Sequence, residues 1–293
     1  MTCSRINLSL ACYIPLPPVL LSRVHMFKIV ASDLDGTLLT PEHKIAPFTQ
    51  DVLQRLYQHN KHFVFATGRH HIDVAEMREK LGIPAYMITS NGASVHDADG
   101  NLVFQQSLSP EVIRGVIALA KHDPDLHIHL YQGDHWLLNH ENEALRDFHD
   151  SFNYQLFDVE NPPTDNVLKV FFTRDDLDHE KMVKWEQAFN QEFKDKANIA
   201  FSTPWCLEVM DAGVSKGDAL AAVAKALELT LDDCIAFGDG MNDVEMLSMA
   251  GKGLIMGTSH DKVKQALPDN DVIGSSADEA VAHYLEKHLL NHV

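Results

Sequence analysis

From residue 27 onward, short apolar runs alternate with amphipathic stretches. Residues 27–32 (FKIVAS), 62–66 (HFVFA) and 85–89 (AYMIT) read as strands, separated by helical patterns over 49–60 and 72–81. Runs this uniformly apolar predict strands covered on both faces, as in a parallel sheet wrapped by helices. The rhythm returns near the C-terminus: helices over 216–229, 242–250, 259–266 and 277–289 alternate with strands over 234–238, 253–256 and 271–273.

Between these blocks the pattern changes. Asp99-Gly100 and Gln132-Gly133-Asp134 are hairpin signals, Asn161-Pro162-Pro163 is a joint, and 110–121 and 179–193 read as long helices. The chain therefore predicts an α/β fold. Residues 26–92 and 211–293 form a doubly wound, Rossmann-like parallel-sheet core, and 93–210 form an inserted α+β domain. No internal repeat or low-complexity segment interrupts this plan.

Residues 1–25 stand apart. Their apolar run is broken by Pro15, Pro17 and Pro18 and is followed by no A-x-A cleavage site, so it reads as neither a secretion signal nor a membrane span. With Met26 directly before the first strand, the segment reads as a mis-called start or a disordered tail. The four cysteines, Cys3, Cys12, Cys206 and Cys234, lack CxxC spacing and suit a reducing compartment, so cytoplasm is the expected location.

A formal net charge of −18 with no Lys/Arg run argues against nucleic acid or an anionic membrane as partner. A small anionic ligand is compatible with that charge, provided that a cation and a few placed basic residues offset it locally.

Ligand sites of open α/β sheets lie beyond the carboxyl ends of the strands. Four polar segments fall at such positions or at the start of the following helix: Asp33-Leu34-Asp35-Gly36-Thr37, Thr67-Gly68-Arg69, Ser215-Lys216-Gly217 and Gly238-Asp239-Gly240-Met241-Asn242-Asp243. Asp33 and Asp35, two apart at a strand end, can face one cavity by the two-residue alternation of strands. Their mutual repulsion calls for a cation between them, and Mg²⁺ with carboxylate and water oxygens is the natural candidate. Asp239 would add to that oxygen shell and Asp243 could orient it. Lys216 offers positive charge beside free helix N–H groups, Thr67 a hydroxyl, and Gly68 an unobstructed backbone. Each segment alone is ordinary turn or capping chemistry; the four together, in this order, are not.

These segments resemble the four motifs of the haloacid-dehalogenase superfamily, and the insertion after the third strand resembles the type-two cap of its Cof-type phosphatases, over about residues 26–290. Phe65-Ala66-Thr67-Gly68-Arg69, Thr89-Ser90-Asn91-Gly92-Ala93 and Leu207-Glu208-Val209-Met210 are most similar to the bacterial pyridoxal-phosphate phosphatase branch. The resemblance implies that Asp33 is a nucleophile and Asp35 a general acid/base, that Thr67 and Lys216 hold a phosphoryl group, and that Asp239 completes a Mg²⁺ site with Asp33 and Asp35. Backbone at Leu34 and Gly68 and the Asn242 side chain would add phosphate contacts. It further implies Mg²⁺-dependent hydrolysis of a small phosphorylated metabolite, pyridoxal 5′-phosphate before sugar phosphates. The competing readings are a phosphomutase or phosphotransferase, and a non-catalytic metabolite-binding protein. An intact Asp33/Asp35/Lys216/Asp239 set argues against the last.

His127 and His129 could share a strand face as transition-metal ligands, but no third ligand accompanies them, so a structural role is expected. Trp136, Trp185 and Trp205 read as core, with Trp136 or Trp205 as alternative pocket walls.

Overall fold

The computed structural model describes residues 27–146 and 152–291; the reading of 1–25 lies outside them. In chain order, β1 (Ile29–Ser32) leads through a wide turn over Leu34–Leu38 to α1 (Pro47–Gln58), β2 (His62–Ala66), α2 (His71–Leu81) and β3 (Ala85–Thr89). Then come β4 (Ser94–His96), β5 (Leu102–Gln105), α3 (Pro110–Ala120), β6 (Leu126–Gln132), β7 (His135–Leu138), α4 (Glu143–Arg146) and β8 (Tyr154–Leu156). They are followed by β9 (Val167–Arg174), α5 (His179–Phe193), β10 (Ala197–Thr203) and β11 (Cys206–Asp211). The chain closes with α6 (Lys216–Ala226), β12 (Cys234–Gly238), α7 (Val244–Met249), β13 (Lys252–Ile255), α8 (Asp261–Ala266), β14 (Asp271–Val272) and α9 (Ala280–Leu285).

The first sheet has the order β14-β13-β12-β1-β2-β3-β4-β5. It is parallel from β14 to β3, and its two faces carry separate cores because strand side chains alternate. Val30, Phe63, Phe65 and Phe237 pack under α1, α2 and α9, whereas Ile29, Ala31, Val64 and Ala236 pack under α6, α7 and α8. This is the doubly wound α/β core that the apolar runs predict.

Sequence reading opens the insertion at Ala93. Ser94–Gln105 instead lengthen the first sheet: β4 pairs antiparallel with β3, and β5 with β4. The Asp97 carboxylate accepts the Asp99 and Asn101 N–H groups at 3.0 and 2.8 Å, closing the hairpin that folds β5 back onto β4.

The second sheet, β10-β11-β9-β6-β7-β8, is built wholly from later residues. Helices α3 and α5 cover one face through Val112, Val116, Phe189 and Phe193. Its other face bears Tyr131, Trp136, Phe152 and Phe171, with Ile72 of α2 packed against them, and so turns toward the first sheet's loops. His70 joins the two: its Nε2 donates to the Gly133 carbonyl at 2.8 Å while Nδ1 accepts from the Ile72 N–H that opens α2.

Trp136 is buried and donates from Nε1 to His129 Nδ1 at 3.1 Å. Since His129 Nε2 lies 2.8 Å from Thr173 Oγ1, both ring nitrogens are engaged within the sheet. Trp205 departs from the core reading: it sits in the β10–β11 turn, 41% exposed. Among the described residues no helix is long and apolar enough to cross a membrane.

Candidate active site

Chain order reverses at β1, with β2 on one side and β12 on the other, which opens a crevice at the carboxyl end of these strands. Asp33 and Thr67 follow β1 and β2 directly, and Asp239 follows β12. Lys216 begins α6, whose N-terminus is capped by Ser215 Oγ accepting from the Asp218 N–H at 3.1 Å. The wholly buried Lys216 ammonium donates to Asp33 Oδ1 at 2.7 Å and to Asp243 Oδ1 at 2.6 Å. Burial alone would pull its pKa down; the charges of Asp243 and Asp33 outweigh it and hold the lysine protonated. The second oxygen of Asp243 accepts the Asp239 and Gly240 N–H groups at 2.9 and 2.8 Å, so Asp243 fixes the loop that carries Asp239.

Oxygens of Asp33, Asp239 and Asp243 all lie within 4.8 Å of one another. Burial first, and then the neighbouring Asp243 charge, push Asp239 up to about 7, against a 2.9 Å hydrogen bond from Thr37 Oγ1. Asp33 is also raised well above the carboxylate range, by burial before all else; Lys216 opposes this, while Asp243 and Asp239 add to it. Three crowded carboxylates therefore face one buried ammonium. This shortage of positive charge, at hard oxygen donors, suits a divalent metal ion.

Asp35 does not complete that cluster with its side chain. Strand alternation ends at Asp33: Asp35 lies inside the following turn, just before Gly36 at φ +75°, and its carboxylate swings away. It accepts from Arg69 Nε and Nη2, both at 2.6 Å, and lies 2.9 Å from His43 Nδ1. Arg69 in turn donates to Asp73 at 2.7 Å. Burial works against the Asp35 charge, but the Arg69 and His43 hydrogen bonds outweigh it and hold the carboxyl well below its ordinary range. A Cβ on Gly36 would fall 2.4 Å from Asp239 Oδ2 on a left-handed backbone. Gly36→Ala should consequently cost most of the turnover, read as kcat on a generic phosphate ester with the melting temperature as control; unchanged kcat would deny the turn its role.

Leu34 is buried beneath the turn, so only its backbone can face the crevice. Thr67 Oγ1 accepts the Arg69 N–H at 3.2 Å. A Cβ on Gly68 would meet Asn91 Oδ1 at 3.0 Å and Glu208 Oε1 at 3.1 Å, so these two side chains would have to give way to anything larger than glycine. Asn242 Nδ2 donates to Asn91 Oδ1 at 3.0 Å. A cavity of about 190 Å³ adjoins this corner, lined by Asn91, Lys216 and Asn242 together with Asn198 and Met210 of the second sheet.

Sequence reading passes over three groups that reach this region: His43, Lys169 and Glu208 as a charged side chain. The signal for Lys169 is a single charge within the apolar run VLKVFFT of β9; a lysine there is either a solvent-facing residue or a buried, paired one.

The geometry assembled on these strand ends agrees with a match of residues 30–285 to the family described as haloacid dehalogenase-like hydrolase. The chain belongs to that family. The hydrolase is 40% identical over 269 residues to the HMP-PP phosphatase of Cronobacter sakazakii, an alignment that covers 91% of this chain and 97% of the relative. It is an enzyme of the phosphoric monoester hydrolase class. Its fold matches that of a haloacid dehalogenase-like hydrolase from B. subtilis with a TM-score of 0.78 at 24% identity, covering 89% of this chain and 99% of the other. The HAD subclass IIB sugar phosphatase BT4131 matches with a TM-score of 0.75 at 20% identity, over 89% of this chain and 98% of that one.

Proposed function

We propose that this hydrolase removes phosphate from a small phosphorylated metabolite through an aspartyl-phosphate on Asp33, with Mg²⁺ as the cation. The observation that carries the reading is the buried Lys216 bridge, which holds Asp33 and Asp243 on one ammonium beside Asp239. Asp33 and Asp239 would hold Mg²⁺ beside Asp243, whereas the Asp35 side chain is taken up by Arg69 and His43. The bound cation would offset negative charge on the carboxylates and the phosphate oxygens.

An Asp33 oxygen attacks phosphorus in line, the bond to the leaving oxygen breaks, and that oxygen takes a proton from Asp35. Lys216, the Thr67 hydroxyl, Asn242 and the backbone N–H groups near Leu34 and Gly68 hold the phosphoryl oxygens in place, and such positioning with electrostatic stabilisation supplies most of phosphoryl-transfer catalysis. Water then attacks phosphorus, its proton goes to Asp35, the bond to Asp33 breaks, and inorganic phosphate leaves. Held ionised by Arg69 and His43, Asp35 has both oxygens occupied and is a weak base as it stands. To act first as an acid it must leave the Arg69 fork, which makes approach of the substrate the event that frees it.

The substrate proposal puts pyridoxal 5′-phosphate first and sugar phosphates next; the name of the Cronobacter relative adds HMP-PP as a third candidate. The free cysteines Cys206 and Cys234 support a cytoplasmic setting. A panel of phosphorylated metabolites with Mg²⁺ present tests the whole reading: release of inorganic phosphate from at least one of them is expected, and excess EDTA should abolish it. Full turnover in EDTA would remove the metal, and failure on every member of the panel, HMP-PP included, would remove the function.

A further inference from the structure

The second sheet sends one ion pair into the crevice. Lys169 of β9 and Glu208 of β11 are each 2% exposed, and Lys169 Nζ donates to Glu208 Oε1 at 2.6 Å. Neither stops at its partner. Lys169 Nζ also donates at 2.6 Å to the carbonyl of Gly68, 101 residues away in sequence. Glu208 Oε2 accepts from Asn91 Nδ2, which lies in the loop after β3. The Lys169 ammonium further sits over the rings of Tyr131 and Phe171, at 4.8 and 4.5 Å from their centroids. Two of the three ammonium N–H groups and both carboxylate oxygens are thus engaged.

Each contact continues to a residue proposed above to grip phosphate. The Gly68 carbonyl belongs to the same peptide unit as the Arg69 N–H, which donates to Thr67 Oγ1. Fixing that carbonyl therefore fixes the plane in which the Thr67 hydroxyl finds its donor. On the other side, Glu208 holds the Asn91 amide with its nitrogen toward the carboxylate, which leaves Asn91 Oδ1 to accept from Asn242 Nδ2 at 3.0 Å. The Asn91 N–H also donates to the Thr67 carbonyl at 3.0 Å, tying the two branches together.

We propose that Lys169 and Glu208 are positioning residues that let docking of the second sheet complete the phosphate cradle, through Gly68 to Thr67 and through Asn91 to Asn242. The inference rests on the phosphatase reading but goes beyond it: the inserted segment would act on phosphate itself, whatever the leaving group. A buried ion pair is weak evidence of a stabilising device, because apolar replacements of similar volume are often neutral to stability. That property makes the idea testable.

The double variant Lys169→Met/Glu208→Met removes both charges together and should stay folded, with a melting temperature near that of the wild type. Inorganic phosphate, titrated calorimetrically in Mg²⁺ buffer, should bind about 10- to 100-fold more weakly, as for outer partners of a liganding shell, and kcat/KM should fall alike for aryl and alkyl phosphates. Should the double variant not fold, Glu208→Gln answers the same question in the wild-type and Asn242→Ala backgrounds. It should weaken phosphate binding in the first and less in the second, since the branch through Asn91 and Asn242 is already cut there. A folded double variant that binds phosphate like the wild type, a loss confined to one leaving group, or additive losses in the Asn242→Ala pair would overturn the proposal. If the wild-type protein itself neither bound phosphate nor hydrolysed an aryl phosphate, the phosphatase reading would fall instead.

Discussion

Asp33→Asn should reduce turnover to background on every phosphate ester while leaving the fold in place. Asn matches the size of Asp but has no carboxylate oxygen to form the acyl phosphate, and no other described carboxylate shares its position on Lys216 at the end of β1. Loss of structure is not the expected cause. Lys216 keeps Asp243 as a buried partner, and the Asp33 charge is itself disfavoured, by burial first and by its acidic neighbours next. Removing it relieves carboxylate crowding as it weakens one ion pair. Circular dichroism and thermal melting should therefore resemble the wild type while phosphate release vanishes. Substantial residual turnover would assign the chemistry to another group.

Much of this arrangement is legible in the chain. Strands β1, β2, β3 and β12 are short runs with nearly every residue apolar, which only a doubly covered sheet explains. Once the strands are placed, the polar residues at their carboxyl ends mark the crevice, and Asp33, Thr67, Lys216 and Asp239 all arrive there. What periodicity does not carry is pairing across sequence. It could not tell which sheet the Asp99-Gly100 hairpin joins, because β4 and β5 would look the same on either.

Nor could periodicity follow a side chain through a turn. Asp35 reads as facing Asp33's cavity only while strand alternation lasts, and the turn at Gly36 ends it. Helix starts were blurred for a similar reason. The pattern over 242–250 reads as one helix, whereas Met241–Asp243 form a separate tight turn because the Asp243 carboxylate is occupied with the Asp239 and Gly240 N–H groups. Lys169 and Glu208 reach the crevice from strands of the second sheet. Their relevance appears only when the two sheets are set against each other.

Asp35→Asn should separate the two half-reactions. The variant keeps the Asp33 nucleophile and one acceptor for Arg69, but it can neither give nor take the proton. For a substrate whose leaving group is a sugar alkoxide, the first step needs that proton and should fall by about 10²- to 10⁴-fold, the usual worth of a placed acid or base. An aryl phosphate leaves without it and should still phosphorylate Asp33. Hydrolysis of the aspartyl-phosphate, which needs a base, should then slow by a similar factor, so that the intermediate outlives its formation. Equal slowing on both kinds of substrate would mean that Asp35 serves through its grip on Arg69 rather than through a proton.

Covalent capture on Asp33 tests the central claim most directly. Asp35→Asn protein, exposed to an aryl phosphate with Mg²⁺ and quenched in acid, is digested and its peptides are weighed by mass spectrometry. The account predicts one phosphate on the peptide that contains Asp33, at a carboxylate and labile to base. Phosphate on a histidine or serine, or wild-type turnover with no modified peptide at any time of quenching, would contradict it.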